Sequence, residues 1–253
     1  MLRHLNALRH ALGADLRDYR AEIGKMPRER RMSGRSLLMQ FLPWRGSLVE
    51  GRSPIDDEWP WLTFGAIRRI GQLLSPGFGV FEYGAGGSTL YFLRSGASVV
   101  TVEHDPLWLA RVADVVTRKS YGSWVPLALP PVMRPGAEAA APEDPQGYVS
   151  SGEEFRGMSF ETYATAIDAY QNDSFDLVLV DGRARPSCGK HAVPKVKPGG
   201  YLVLDNAERA IYSWIHEELA RKRWQAEHFY GPGPYNRGFW QTSVYRRPLR
   251  ASP

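Results

Sequence analysis

Four short stretches carry residue types that could do chemistry: Glu82-Tyr83-Gly84-Ala85-Gly86-Gly87-Ser88-Thr89, Glu103-His104-Asp105, Asp181-Gly182-Arg183-Ala184-Arg185 and Asp205-Asn206. Gly84 and Gly86 let a backbone approach a ligand without Cβ obstruction. Glu103 offers up to four lone-pair directions, enough for the two hydroxyls of a ribose. A dinucleotide turn needs a third glycine beside the pyrophosphate, and position 89 is Thr instead. Glu82 just before the turn would also repel a pyrophosphate. The pattern therefore suits a nucleoside-like ligand with hydroxyls and a cationic amino group but no phosphate, with Tyr83, Ser88, Thr89 and His104 as further contacts. Asp181, Asp205 and Asn206 could organise an acceptor or cap a following helix, and Arg183 and Arg185 could clamp an anionic group. Asp181 is a candidate base, as are the histidines His191 and His104.

These residues need a scaffold that brings them to one edge. Apolar runs near 79–83, 98–102, 123–128, 175–180 and 200–204 alternate with helix-like segments near 88–95, 106–118, 160–171, 187–195 and 208–222. Phe175-Asp176-Leu177-Val178-Leu179-Val180 and Tyr201-Leu202-Val203-Leu204 are dense enough in apolar residues for central parallel strands. The runs 224–230 and 239–245 flank Gly231-Pro232-Gly233-Pro234, a connection too short for a crossover helix, so the last pair reads as antiparallel. The expected fold is a doubly wound α/β sheet in three layers, its last strand reversed. Helices are also expected over 2–23, from an apolar stripe that could dock on the domain or on a second subunit, and from Pro60 to Ile70. Residues 26–51 read as basic and irregular, with 36–42 as a short packing element. We expect a basic helical extension over 1–55 and the main domain over 56–253, with an insertion near 130–155 that could act as a lid. Trp61, Tyr235 and Trp240 could form an aromatic wall over the acceptor.

Composition bounds the partners. In 253 residues, 43% are hydrophobic, enough for one substantial core. The single cysteine, Cys188, excludes an intrachain disulfide framework and fits a reducing, cytoplasmic setting. No apolar run reaches membrane-spanning length. The formal charge of +5 comes from residues 1–50, which hold ten Lys or Arg against five Asp or Glu, including a cluster at Arg28, Arg30, Arg31 and Arg35. Without a zinc-finger or RNA-binding signature beside it, that cluster makes nucleic acid a minor reading. A small-molecule substrate, anionic if the arginines meet it, and a homodimer through the N-terminal helix are the partners the pattern allows.

From about Val80 to Tyr245 the chain resembles the class I S-adenosylmethionine-dependent methyltransferases. The resemblance rests on residues 82–89, on Val102-Glu103-His104-Asp105, on 175–182 and on Val196-Lys197-Pro198-Gly199-Gly200-Tyr201-Leu202-Val203-Leu204-Asp205-Asn206. It implies a seven-stranded sheet, S-adenosylmethionine as cofactor with its methionine part over the glycine turn, and its ribose on Glu103. Asp181, Asp205 and Asn206 are also similar in position to the oxygen ligands of the catechol and caffeoyl-CoA type of metal-dependent O-methyltransferase, which implies Mg²⁺. The continuation Gly182-Arg183-Ala184-Arg185 departs from that subgroup and opposes a cation there. Methyl transfer to oxygen is the expected activity. An N-methyltransferase acting on a small molecule or peptide, and a non-catalytic protein that binds S-adenosylmethionine as a scaffold, stay open beside it.

Overall fold

The computed structural model describes residues 2–27 and 33–250, with side chains from Leu12 onward. Arg28, Arg30 and Arg31 of the basic cluster lie outside the described residues, as do the side chains of Leu2, Leu5 and Leu8. Elements run in the order α1 (Leu2–Lys25), α2 (Gly34–Ser47), α3 (Pro54–Asp57), α4 (Phe64–Leu73), β1 (Gly79–Tyr83), α5 (Gly87–Arg94), β2 (Ser98–Glu103), α6 (Pro106–Lys119) and β3 (Trp124–Ala128). The short strands β4 (Val132–Met133) and β5 (Met158–Ser159) follow, then α7 (Glu161–Thr165), β6 (Phe175–Val180), α8 (Arg185–Ala192), β7 (Val196–Asp205), α9 (Ser213–Arg221), β8 (Gln225–Gly231) and β9 (Trp240–Arg246).

One seven-stranded sheet has the order β3-β2-β1-β6-β7-β9-β8. Its first five strands are parallel, and β9 runs antiparallel to both β7 and β8, as the short final connection requires. Side chains alternate across the central strands. Leu177, Leu179 and Val203 face one apolar layer with α4, α5 and α6, while Val178, Val180, Leu202 and Leu204 face the other with α7, α8 and α9. In register, Tyr83 pairs with Val102 and Val180, and Val180 with Leu204. The residues just past these positions, Glu103, Gly84, Asp181 and Asp205, therefore share the carboxyl edge of the sheet. Because β9 is reversed, its first residue, Trp240, also arrives at that edge.

Three local expectations change. The region read as irregular contains a 14-residue helix, α2, capped by Ser33 Oγ accepting from Ser36 N at 3.2 Å. Its Leu37, Phe41 and Trp44 recur at helical spacing and are buried, a signal the basic composition masked. The helix expected from Pro60 begins at Phe64. Leu62 is fully buried and Thr63 N donates to Thr242 Oγ1 at 3.1 Å, so 60–63 serve as a strap onto β9. The helix expected over 160–171 is split into α7 and a 3₁₀ turn over Ala166–Ala169.

Both N-terminal helices pack on the hairpin loop between β8 and β9. The Tyr19 ring meets Phe41, Trp44 and Phe239 at centroid distances of 5.0–5.2 Å, and its hydroxyl donates to Leu37 O at 2.7 Å. Trp44 Nε1 donates to Asn236 O at 2.9 Å, and Glu22 Oε2 accepts from Phe239 N at 2.9 Å. Burying each such aromatic contributes about 1.5–3 kcal/mol, so this corner is a stable support for the loop. Among the described residues, no helix is long and apolar enough to cross a membrane.

Candidate functional site

A cleft of about 450 Å³ opens at the carboxyl edge of the sheet. Its floor is the turn between β1 and α5. Gly84 has φ +99°, and a Cβ there would stand 3.2 Å from the backbone of Gly182, so only glycine fits. Gly87 opens α5 under Trp59 O, which a Cβ would meet at 2.1 Å. The leading segment around Pro54 and Trp59 is thus pressed onto the turn.

Two carboxylates hold this floor from opposite sides. Glu82 is fully buried beneath it and accepts from the hydroxyls of Ser88, Thr89 (2.6 Å) and Thr101 (3.1 Å). Burial pushes its pKa up to about 7, against the lowering effect of the three hydroxyls. Glu103 faces the cleft. Its Oε2 accepts from Ala85 N at 2.9 Å, and its Oε1 accepts from the N–H groups of His104 and Asp105 at 2.6 and 2.8 Å. Burial raises its pKa, but these bonds and the His104 ring, with Nδ1 2.5 Å from Oε1, outweigh that and hold it below the usual carboxylate range. Three backbone donors leave one lone-pair direction on Oε2 for a ligand.

Glu82, Tyr83 and Thr89 do not line the cleft. Tyr83 is fully buried with its hydroxyl donating to Ala164 O at 2.8 Å, and Thr89 Oγ1 accepts from Gly86 N at 3.0 Å. β1 is central and covered on both faces, so Glu82 and Tyr83 are buried on either side of it, and Thr89 is on the buried face of α5. Ser88 and His104 do line the cleft. The His104 ring packs against Phe155 and Phe160 at 5.3 and 6.0 Å. Asp105 is a helix cap: its Oδ1 accepts from Leu107 N and Trp108 N at 2.9 and 3.2 Å. That cap aims Trp108 back over the turn, where Nε1 donates to Ala85 O at 2.7 Å and the ring joins the cleft wall. Sequence reasoning missed Trp108, although Asp105-Pro106 marks a helix start three residues before it.

At the other end of the cleft stand Asp181, Arg185 and Asp205. Arg185 is buried and almost fully spent on protein acceptors. Nε donates to Gly182 O at 3.0 Å, Nη2 to Asp181 O and Oδ1 at 3.0 and 2.9 Å, and Nη1 to Asp205 O. Asp205 Oδ2 lies 4.0 Å from Nη1, while Oδ1 accepts from Trp240 Nε1 and Thr242 Oγ1 at 2.8 and 2.6 Å. Asp205 therefore does not cap the helix after it. Burial raises the pKa of both carboxyls, Asp181's further through the charge of Asp205, against the lowering effect of Arg185.

Arg185 is thus a strut between the ends of β6 and β7, which corrects its expected place as an anion clamp. Its guanidinium is the cation that Asp181 and Asp205 face. Asn206, at φ +49°, lines the cleft beside them. Among the described residues, no group of three His, Cys, Asp or Glu side chains is gathered as a metal site.

Arg183 lines the cleft with Arg209, a residue sequence reasoning did not single out because nothing marks it locally. Trp61 and Trp240 form part of the wall, whereas Tyr235 stands behind Trp61, 6.1 Å between ring centroids, with its hydroxyl donating to Asp57 Oδ2 at 2.8 Å. His191 is not brought to the cleft. Its Nδ1 lies 2.6 Å from Asp168 Oδ2 and its Nε2 3.1 Å from Tyr148 Oη, on the helical layer behind the sheet edge. It lies six positions after Arg185, near the far end of α8, which carries it away from the cleft.

No protein-family model matches the chain, and no curated protein matches it in sequence. Solved structures do. The chain is similar to an O-methyltransferase from Bacillus cereus in complex with SAH, with a TM-score of 0.52 and 14% identity over 88% of this chain and 93% of that one. It is also similar to a protein from Corynebacterium glutamicum, with a TM-score of 0.52 and 12% identity over 87% of this chain and the whole of the other. At such identities the likeness is one of fold, and it agrees with the strand order and reversed β9 described above: the chain has a class I methyltransferase-like fold.

Proposed function

We propose that the protein transfers a methyl group from S-adenosylmethionine to an oxygen of a small or medium-sized acceptor. The observation that carries this reading is the shared cleft: Gly84, Gly86 and Glu103 at one end, Asp181 at the other, on adjacent strand ends. The residues present fit the cofactor. The glycine turn admits an amino-acid moiety, Glu103 keeps one lone-pair direction for a ribose hydroxyl, and Trp108 offers an apolar face beside it. S-adenosylmethionine supplies an electrophilic methyl carbon on a sulfonium.

The protein's part is to position the acceptor and take its proton. Asp181 lies on the cleft wall and is the carboxylate placed to take a hydroxyl proton as the oxygen–methyl bond forms and the methyl–sulfur bond breaks. The proton ends on the Asp181 carboxylate. Arg185 holds that carboxylate in place through Oδ1. Asp205 positions rather than reacts, being spent on Trp240 and Thr242. Asp181, Asp205 and Asn206 are a poor fit for a divalent cation, because the Arg185 guanidinium already stands 2.9 Å from Asp181 and 4.0 Å from Asp205 and would repel it. We therefore propose metal-independent transfer.

Calorimetry with S-adenosylmethionine and S-adenosylhomocysteine tests the cofactor half: single-site binding of both is expected, and binding of neither would refute it. Transfer of labelled methyl to a metabolite extract, compared between the protein and Asp181→Asn, tests the catalytic half. The variant should keep cofactor affinity and lose transfer at least about a hundredfold.

A further inference from the structure

The geometry points to an acceptor that carries a carboxylate or phosphate, held between Arg183 and Arg209 in a recess off the main cleft. This inference rests on the cleft's acceptor end being where a substrate sits. A recess of about 50 Å³ is lined by Ser150, Ser151, Arg183, Ala184, Arg209 and Tyr212, and it shares Gly182, Arg183, Arg185 and Arg209 with the cleft. The two guanidiniums reach this mouth from the loops that follow β6 and β7. They therefore flank the place where an acceptor would meet Asp181.

Their own partners leave them available. Among the described residues the Arg209 guanidinium has no hydrogen-bond or ion-pair partner. Arg183 lies over the Phe155 ring at 4.9 Å, which fixes its plane, and its one ion pair is with Glu154 at 3.8 Å between side chains 39% and 59% exposed. A surface pair of that kind contributes little and yields readily to a better acceptor. The other carboxylates at the mouth, Asp181 and Asp205, share the Arg185 guanidinium. Neither is bonded to Arg183 or Arg209. Arginine forks suit the planar or tetrahedral oxygen sets of carboxylates and phosphates. An amine acceptor would meet repulsion at the same place.

A matched fragment set tests this on the whole protein: phenyl phosphate, benzoate, phenol and aniline, titrated by calorimetry with and without saturating S-adenosylhomocysteine. Phenyl phosphate or benzoate should bind, with phenol and aniline at least about tenfold weaker. Arg183→Gln and Arg209→Gln should each weaken the anion about tenfold, with Arg209→Lys restoring part of the loss. Equal or tighter binding of phenol or aniline, no preference among the four, or anion binding that survives the double Gln variant would overturn the inference. The two readings fail separately. Loss of S-adenosylhomocysteine binding strikes the cofactor assignment alone, since the fragments are also measured without it.

Discussion

A pair of carboxylates supports each end of the cleft, Glu82 and Glu103 at the floor and Asp181 and Asp205 at the acceptor end, and the two pairs are satisfied by different means. At the floor, Glu82 is met by three hydroxyls, and Glu103 by three backbone N–H groups and the His104 ring. At the acceptor end, Asp181 and Asp205 are met by the Arg185 guanidinium, with Trp240 and Thr242 completing Asp205. Neutral donors hold a carboxylate in shape without cancelling its charge, which suits a site for a cationic, hydroxyl-bearing cofactor. A fixed internal cation brings the other pair close to balance and frees Arg183 and Arg209 for a ligand. Charge selection thus differs across a single cleft: the floor favours positive ligands and the far end negative ones.

The sharpest way to break this contrast is to remove the internal cation. Arg185→Met should strand Asp181 and Asp205 and cost about 3–5 kcal/mol of stability, seen as a lower midpoint in urea or heat. A variant as stable as the parent would mean that the strut is not what balances the pair.

The floor answers to pH instead. The pKa of Glu82 is raised from 4.5 to about 7, so the folded state binds more protons than the unfolded state between these values. Stability must then fall as pH rises through that window and level off above it. A shift of that size corresponds to about 3 kcal/mol. Glu82→Gln, which cannot ionise, should lack this share, so the parent and variant stability curves should diverge between about pH 4.5 and 7, with the variant favoured at the higher end. Parallel curves would show that Glu82 does not titrate in that range.

A smaller effect is expected at the cofactor's own contact. Glu103→Ala unties three backbone N–H groups and removes the ribose acceptor, and hydrogen bonds to a charged group are each worth about 1.5–3 kcal/mol. S-adenosylhomocysteine affinity should drop by about ten- to a hundredfold in calorimetry. The smallest change of all is predicted for EDTA against added Mg²⁺: less than about twofold in methyl transfer, because the Arg185 guanidinium beside Asp181 and Asp205 would repel a second cation. A strong magnesium requirement would reverse the account of the acceptor end.

The same contrast explains what could be read from the sequence. The floor is built from near neighbours: Glu82 bonds Ser88, Thr89 and Thr101, and Glu103 bonds Ala85, His104 and Asp105. A local run of glycines, hydroxyls and acids therefore announced the turn, but not that Glu82 and Tyr83 are in a strand buried on both faces or that Thr89 is on the inner face of α5. At the acceptor end the partners are distant. Trp240 reaches Asp205 across 35 positions, and Tyr235 reaches Asp57 across 178. No local pattern distinguishes Arg185, buried as a strut, from Arg183, two residues away and exposed at the cleft with only a long surface pair to Glu154. His191 looked close because sequence distance ignores which way a helix faces. The strand order and the reversed final strand were legible because apolar run lengths and one short connection constrain them strongly.

The reversal of β9 also sets the order in which the molecule can be completed during synthesis. The hydrogen bonds to Glu82 and Glu103 all come from residues between Ala85 and Asp105, so they close on short loops. The acceptor end waits for the last strand. Trp240 and Thr242 must come back to Asp205, and Thr242 must also accept from Thr63, 179 positions earlier in the chain. Closing so long a loop carries the larger entropic cost and comes late in folding. A nascent chain would hold the bonds of the glycine-turn floor well before those of the acceptor end, so that end of the cleft is completed last.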